Sequence, residues 1–384
     1  MIVRHLRQVD YLLVTVSLFL CILGLVMVYS ASYPLGTVQY NNDKIFFTQQ
    51  LKSFGIGLLL FFTAIIFPYR TLGRLTPLLV IVSLVLLVLV LIPGLGVERN
   101  YSQRWLQLGP LLFQPSEAVK LAMVVYFANV YAKKQNNINN LTNGVLPPLL
   151  IVGTVFMLIL KQPDLGTATS LILACGCILL CSGIRYAHLF ALGSVAFAGI
   201  VYFAFSATYR LNRLLSFRNP FEDALGDGYQ LINSYIAIIS GGLWGNGIGN
   251  SVQKMGYLPE AHTDFIMSII IEELGAIGFL VVILCYLFIM YRGVRISLKG
   301  KDPFLKLLAI GLTFMIMIQV VFNLGAVTGM LPITGITLPF ISYGGTSLIL
   351  MMITMGILVN LSAVVNKASE KNRQLEDSYS SETS

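Results

Sequence analysis

Apolar residues in this chain come in long unbroken runs, without the strict alternation of a half-buried strand or the three-to-four spacing of a surface helix. Ten runs stand out, at roughly 11–31, 52–69, 76–95, 117–133, 145–161, 166–184, 187–206, 265–291, 304–327 and 343–366. A helix of about 20 apolar residues crosses the hydrocarbon core of a bilayer. The predicted fold is therefore all-α, a polytopic membrane protein with about ten transmembrane helices in one domain, residues 1–366. The polar tail, 367–384, is expected to be cytoplasmic and disordered. The first run has no small-residue cleavage site after it and reads as a retained helix.

The connecting segments differ in kind. Most are short. The segment between the seventh and eighth runs, about Ala207 to Asp264, is long and glycine-rich, and is predicted to be an extracellular loop. Interleaved Tyr, Trp and Leu argue that it is ordered, and long ordered loops are commonly functional. The last outer loop, Gly329 to Gly345, carries no charge; its Pro and Gly break helix while its side chains stay apolar. Such a segment suits a re-entrant or interfacial position.

Charge then orients the runs. The chain has 384 residues, 11% of them charged, and a formal net charge of +8. Nucleic acid is not indicated, because the basic residues are dispersed among short loops. With both termini inside, fifteen Lys and Arg fall in cytoplasmic segments, against five (Lys44, Lys52, Arg99, Arg104 and Lys161) in the short outer ones. That bias predicts cytoplasmic termini. All five cysteines lie in apolar runs, where they read as packing residues.

Charged residues at membrane boundaries are costly to desolvate and so become functional candidates. Four outer clusters hold them. Arg104-Trp105 precedes Gln114-Pro-Ser-Glu117, and Glu117 can pair with Lys120 three residues on. That pair can be structural, substrate-binding or both. Asp164 follows Lys161-Gln-Pro and can either cap the sixth helix or face a site. Arg210, Arg213 and Arg218 follow the seventh run, as phosphate ligands or as a solvated loop face. The fourth cluster, Tyr257-Leu-Pro-Glu260-Ala-His262-Thr263-Asp264, leads straight into the eighth run, with Lys254 close before it. Asp264 either caps that helix or, partly desolvated and more basic, serves as a general base. Glu272 and Glu273 lie about two turns into the eighth helix and need partners, such as an Arg or a shared proton. His262 is the single outer histidine, which argues against zinc. The Gly245-Asn-Gly-Ile-Gly249 run lacks the strand and helix that a dinucleotide site requires.

Taken in order, these motifs resemble the SEDS family of bacterial cell-wall glycosyltransferases over nearly the whole chain. They are Gly24-Leu-Val-Met-Val-Tyr-Ser-Ala31, Gln103-Arg-Trp105, Gln114-Pro-Ser-Glu117 with Lys120, and Gln162-Pro-Asp164-Leu-Gly166-Thr167. Gly228-Tyr-Gln230, Ser251 to Lys254, Tyr257 to Phe265, Glu272 to Gly275 and the run Gly329 to Ser347 complete the set. The resemblance implies ten helices and polymerisation of lipid II outside the bacterial plasma membrane, with Asp264 as the essential acid. It implies a class B penicillin-binding transpeptidase as partner, beside other divisome or elongasome membrane proteins. Substrate contacts would come from Arg104, Glu117, Lys120, Asp164, Arg210, Arg213, Lys254, Glu260, His262, Thr263 and Ser342. A divalent cation, Mg2+ or Mn2+, could share the pyrophosphate charge. Gln103 stands where the family usually has a second Arg. Met27-Val-Tyr-Ser-Ala-Ser32 looks more like the division branch, FtsW, than the elongation or sporulation branches. Two readings of other classes compete: a flippase for lipid-linked sugars, which should carry charged sites on both sides of the midplane, and a scaffold, which would need no buried acid.

Overall fold

The computed structural model describes residues 6–99, 102–109, 111–135, 138, 140–205 and 216–382. In chain order its helices are α1 (Tyr11–Tyr40), α2 (Ile45–Ile66), α3 (Tyr69–Arg74), α4 (Thr76–Leu91), α5 (Pro115–Lys133) and α6 (Leu146–Leu160). They continue with α7 (Leu165–Cys181), α8 (Tyr186–Phe205), α9 (Tyr229–Gly241), α10 (Ile266–Lys299), α11 (Pro303–Val327) and α12 (Gly345–Glu382). All ten predicted spans coincide with helices. Seven of the helical segments are long and apolar enough to cross a membrane. The three that miss are instructive: α4 and α7 have 16 and 17 residues, and α5 holds Glu117, Lys120 and Lys133.

The all-α expectation needs one addition. Gly96–Arg99, Ser102–Leu108 and Leu111–Phe113 form a small antiparallel sheet, β1-β2-β3. The register sets Val97 opposite Trp105 and Leu106 opposite Phe113. Ser102-Gln-Arg-Trp-Leu-Gln-Leu108 lacks a regular polar–apolar alternation, so its pattern does not announce a strand between the apolar runs on either side. Gln103 on β2 donates its side-chain amide to the carbonyls of Gly96 and Ile92.

The tail also differs from expectation. Helix continues from the last span to Glu382, because Lys-Ala-Ser-Glu-Lys-Asn-Arg-Gln-Leu-Glu is rich in strong helix formers. Its first turn is tied to the start of the chain: Gln8 donates to Glu370 at 2.8 Å, and Asn366 donates to the Gln8 carbonyl at 2.9 Å.

The core lies around α11 and α12, whose apolar windows are 72% and 78% buried, whereas none of the window on α8 is. α12 packs closely on α2, where a Cβ on Gly356 would meet the backbone of Phe61. Close approach through small residues is the usual way helices associate in lipid. Asn360 caps the same contact by donating to the carbonyls of Ile65 and Phe67 at the end of α2. At the same end of the bundle Asp10 caps α1, donates its N–H to Ser362 of α12 and pairs with Arg292 of α10.

α10 is not one continuous helix. Gly275 has φ 71° and ψ −168°, a conformation essentially reserved for glycine, and it breaks the rod after its ninth residue. The loop that follows α9 supplies the backbone partners the break exposes. Asn246 and Gly247 donate to the carbonyls of Glu272 and Glu273 at 2.9 and 3.0 Å. Ala276 donates back to Gly242 at 2.9 Å. Irregular backbone in a membrane protein is tolerated where protein satisfies it in this way. The glycine-rich run Gly245 to Gly249, whose spacing is like part of a nucleotide motif, therefore serves packing: a Cβ on Gly245 would collide with the Glu273 carbonyl.

Candidate functional site

Asp264 sits in the turn just ahead of α10 and is half-buried. It is not the cap of that helix: the N-cap position is Phe265, and no side chain caps it. The turn is fixed from three sides. Thr263 and Phe265 donate backbone N–H groups to the Glu260 carbonyl at 3.1 and 3.3 Å. Asn323 of α11 donates to the Asp264 carbonyl at 2.7 Å and to the Ile336 carbonyl at 2.9 Å. Tyr343 donates its N–H to the His262 carbonyl at 2.9 Å. The Thr263 hydroxyl lies 2.8 Å from both Glu260 Oε2 and Asp264 Oδ1. It has one proton, so it can donate to only one carboxylate at a time and links the two acids.

His262 is buried between Phe46 and Tyr343, with ring centroids 4.7 and 5.4 Å away. Burial pushes its pKa below the ordinary 6.5, opposed by the nearby charge of Glu260. The unfolded chain therefore takes up this proton first as pH falls. The stabilisation from a neutral His262 is full above pH 6.5 and declines as pH drops through that value towards the lowered one. Thermal unfolding followed between about pH 7.5 and 5 should show this decline, and His262→Phe should flatten it.

Glu117 and Lys120, one turn apart at the start of α5, form a buried ion pair at 2.7 Å. Pro115 occupies the first helical turn, where its missing N–H costs nothing. Ser347 donates to Glu117 at 3.3 Å and shares a hydrogen bond with Thr337. Thr346 accepts from the Gln114 N–H and donates to the Leu112 carbonyl. Arg104 on β2 donates to the carbonyls of Gln162 and Pro163 at 3.1 and 2.5 Å and lies 3.9 Å from Asp164. Asp164 caps α7, accepting from the Thr167 N–H and hydroxyl at 3.0 and 2.8 Å. Capping and pairing with Arg104 thus occupy the same carboxylate. Gly166 meanwhile lies close against Thr334.

One segment gathers these groups. The uncharged loop between α11 and α12 touches Gly166 through Thr334 and the Asp264 turn through Tyr343, shares Asn323 with the Asp264 carbonyl through Ile336, and through Thr337 meets Ser347 at the head of α12, which donates to Glu117. Ser342 staples the loop itself, accepting from the Leu338 N–H at 2.8 Å. Gln50 of α2 donates to the Ser342 carbonyl and accepts from the Gly344 N–H.

Lys254 does not join them. Its ammonium is fully buried, 2.6 Å from Glu273, and donates to Ser30 of α1 at 3.0 Å. It also lies 5.0 Å from the centre of the Tyr33 ring. The partner that Glu273 needs is thus a lysine. Glu272 accepts from Ser251 and from the backbone N–H of Val252 at 2.8 Å. Arg210 and Arg213 lie outside the described residues. Sequence reading includes Ser30, Thr346 and Ser347 only as members of longer motifs, without a role, and passes over Asn323. Each is a polar residue within or at the end of an apolar run, a signal that singles them out once the runs are known.

Comparison with known proteins identifies the family. The cell cycle protein family model that covers FtsW, RodA and SpoVE matches residues 10–367. Stage V sporulation protein E of Bacillus subtilis (strain 168) is 44% identical over 92% of this chain and 96% of its own length. The probable peptidoglycan glycosyltransferase FtsW of the same organism is 42% identical over 97% and 95%. Among solved structures, a chain of a peptidoglycan synthase complex that coordinates polymerization and crosslinking superposes with a TM-score of 0.75 at 29% identity, covering 93% of this chain and 98% of that one. The Thermus thermophilus rod shape determining protein RodA gives 0.68 at 28% identity, over 92% and 96%. With a family model spanning nearly its full length and relatives above 40% identity on the same residues, the chain belongs to the SEDS family of FtsW, RodA and SpoVE.

Proposed function

We propose that this protein is a peptidoglycan glycosyltransferase that polymerises lipid II at the outer face of the bacterial plasma membrane. The observation that carries this reading is the uncharged loop joining a half-buried aspartate to a buried Glu117–Lys120 pair. Asp264 takes the proton from the 4-hydroxyl of the acceptor glycan. The oxygen attacks the anomeric carbon of the donor with inversion, and undecaprenyl pyrophosphate leaves. Lys120 and Arg104, with Arg210 and Arg213, are the proposed source of positive charge for the departing diphosphate. Among the described residues no cluster of three His, Cys, Asp or Glu side chains suits a metal ion. A Mg2+ or Mn2+ would arrive with the lipid and be held mostly by its phosphates.

The same reading has ten crossings, with α4, α5 and α7 as the three short or polar ones, and both termini in the cytoplasm. A single-span class B transpeptidase is its proposed partner, as the likeness to a polymerising and crosslinking complex supports. Division is the proposed setting, on the motif Met27 to Ser32; the 44% identity with a sporulation protein favours a spore role as the second reading. Filaments on depletion would fit the first, and normal growth with defective spores the second.

Purified protein mixed with labelled lipid II tests the activity. Glycan ladders are expected. Transbilayer movement without ladders would replace this reading with a flippase, and neither would leave a scaffold.

A further inference from the structure

We propose that the buried Lys254–Glu273 pair is a positioning brace for Asp264, which deepens the glycosyltransferase reading and rests on it. The break at Gly275 separates a short stub, Ile266 to Leu274, from the rest of α10, and Asp264 lies two residues ahead of that stub. A continuous helix would hold the stub to the rest of α10 through its own hydrogen-bond ladder. Here the ladder is interrupted, so the height and rotation of the stub depend on what grips its far end.

That grip is a set of side chains at the last turn of the stub. Glu273 binds the Lys254 ammonium at 2.6 Å and accepts from the Ser30 hydroxyl of α1 at 2.7 Å. Lys254 donates to the same serine at 3.0 Å, so three chain segments meet at one fully buried centre. Glu272 is held from the other side by Ser251 and the Val252 N–H. Two adjacent buried carboxylates thus anchor the stub to the loop before it and to α1. Neither Lys254 nor Glu273 has exposed side-chain surface. Their influence on the reaction must therefore pass to Asp264 through the stub, whose stretch from Ile266 to Glu273 spans about 10 Å at the helical rise of about 1.5 Å per residue.

The test uses the full chain in detergent with labelled lipid II. Lys254→Met alone would strand a buried carboxylate and could unfold the protein, so the informative variant is Lys254→Met with Glu273→Gln, which removes both charges. For this double variant kcat should fall at least tenfold while KM for lipid II stays within about twofold. Glu273→Asp, which keeps the charge but shortens the reach, should fall in between. Hydrogen–deuterium exchange of residues 264–274 should accelerate at least tenfold in the double variant, with exchange in α11 and α12 unchanged. This second readout needs no turnover, so it still decides the brace if wild-type protein makes no glycan and the activity assignment fails. Unchanged exchange in the stub would overturn the proposal. So would a rise in KM at constant kcat, which would mean that Lys254 serves substrate binding.

Discussion

Asp264→Asn should abolish glycan polymerisation from purified lipid II while leaving the fold intact. General-base catalysis is worth roughly 10² to 10⁴ in rate. A drop of about 10³, equivalent to about 4 kcal/mol of activation free energy, is the expected result. The fold should survive because the interactions that secure this turn mostly involve backbone atoms. Asn323 binds the Asp264 carbonyl, and the Glu260 carbonyl accepts two N–H groups. An amide at position 264 can still accept from the Thr263 hydroxyl but cannot take a proton. The measurement is a ladder assay beside a thermal unfolding curve. Wild-type turnover by the Asn variant would remove Asp264 from the reaction.

Lys120→Met should strongly destabilise the protein. The lysine is 2% exposed and its ion-pair partner, Glu117, is 8% exposed. Removing one member of a buried pair leaves the other charge without compensation, which typically costs about 3–5 kcal/mol. The second substitution, Glu117→Gln, should recover most of that loss. If the pair only supports α5, the double variant should recover polymerisation as well. If Lys120 meets the lipid diphosphate, stability should return and activity should not. Unfolding temperature and ladder yield, measured on the wild type and both variants, separate these outcomes.

How much of the molecule is legible in its sequence depends on the kind of signal. The spans are legible because an apolar run reports its own environment. The outer charged residues are legible because charge is rare in such a chain. What stays hidden depends on long-range contacts. Nothing local says that Glu273 meets a lysine nineteen residues before it and a serine in α1. A capping role for Asp164 is one of two open alternatives in the sequence, and it holds alongside contact with Arg104. A capping role for Asp264 is the other, and the helix there starts without a side-chain cap. The Gly275 break is concealed because a lone glycine in an apolar run also fits an unbroken helix. The small sheet escapes notice for lack of length: its longest strand has seven residues, between helices that dominate any window.

The break in α10 also bears on how the protein is made. Its exposed carbonyls are met by Asn246 and Gly247, and its amides by Gly242 and Leu243. All four precede α10 in the chain, so the ribosome delivers them before the interrupted helix emerges. A membrane segment entering the bilayer with unpaired peptide groups would face several kcal/mol for each one. Here the partners have already been synthesised when the interrupted helix follows, and reversing the order of these two segments would leave the nascent helix without them.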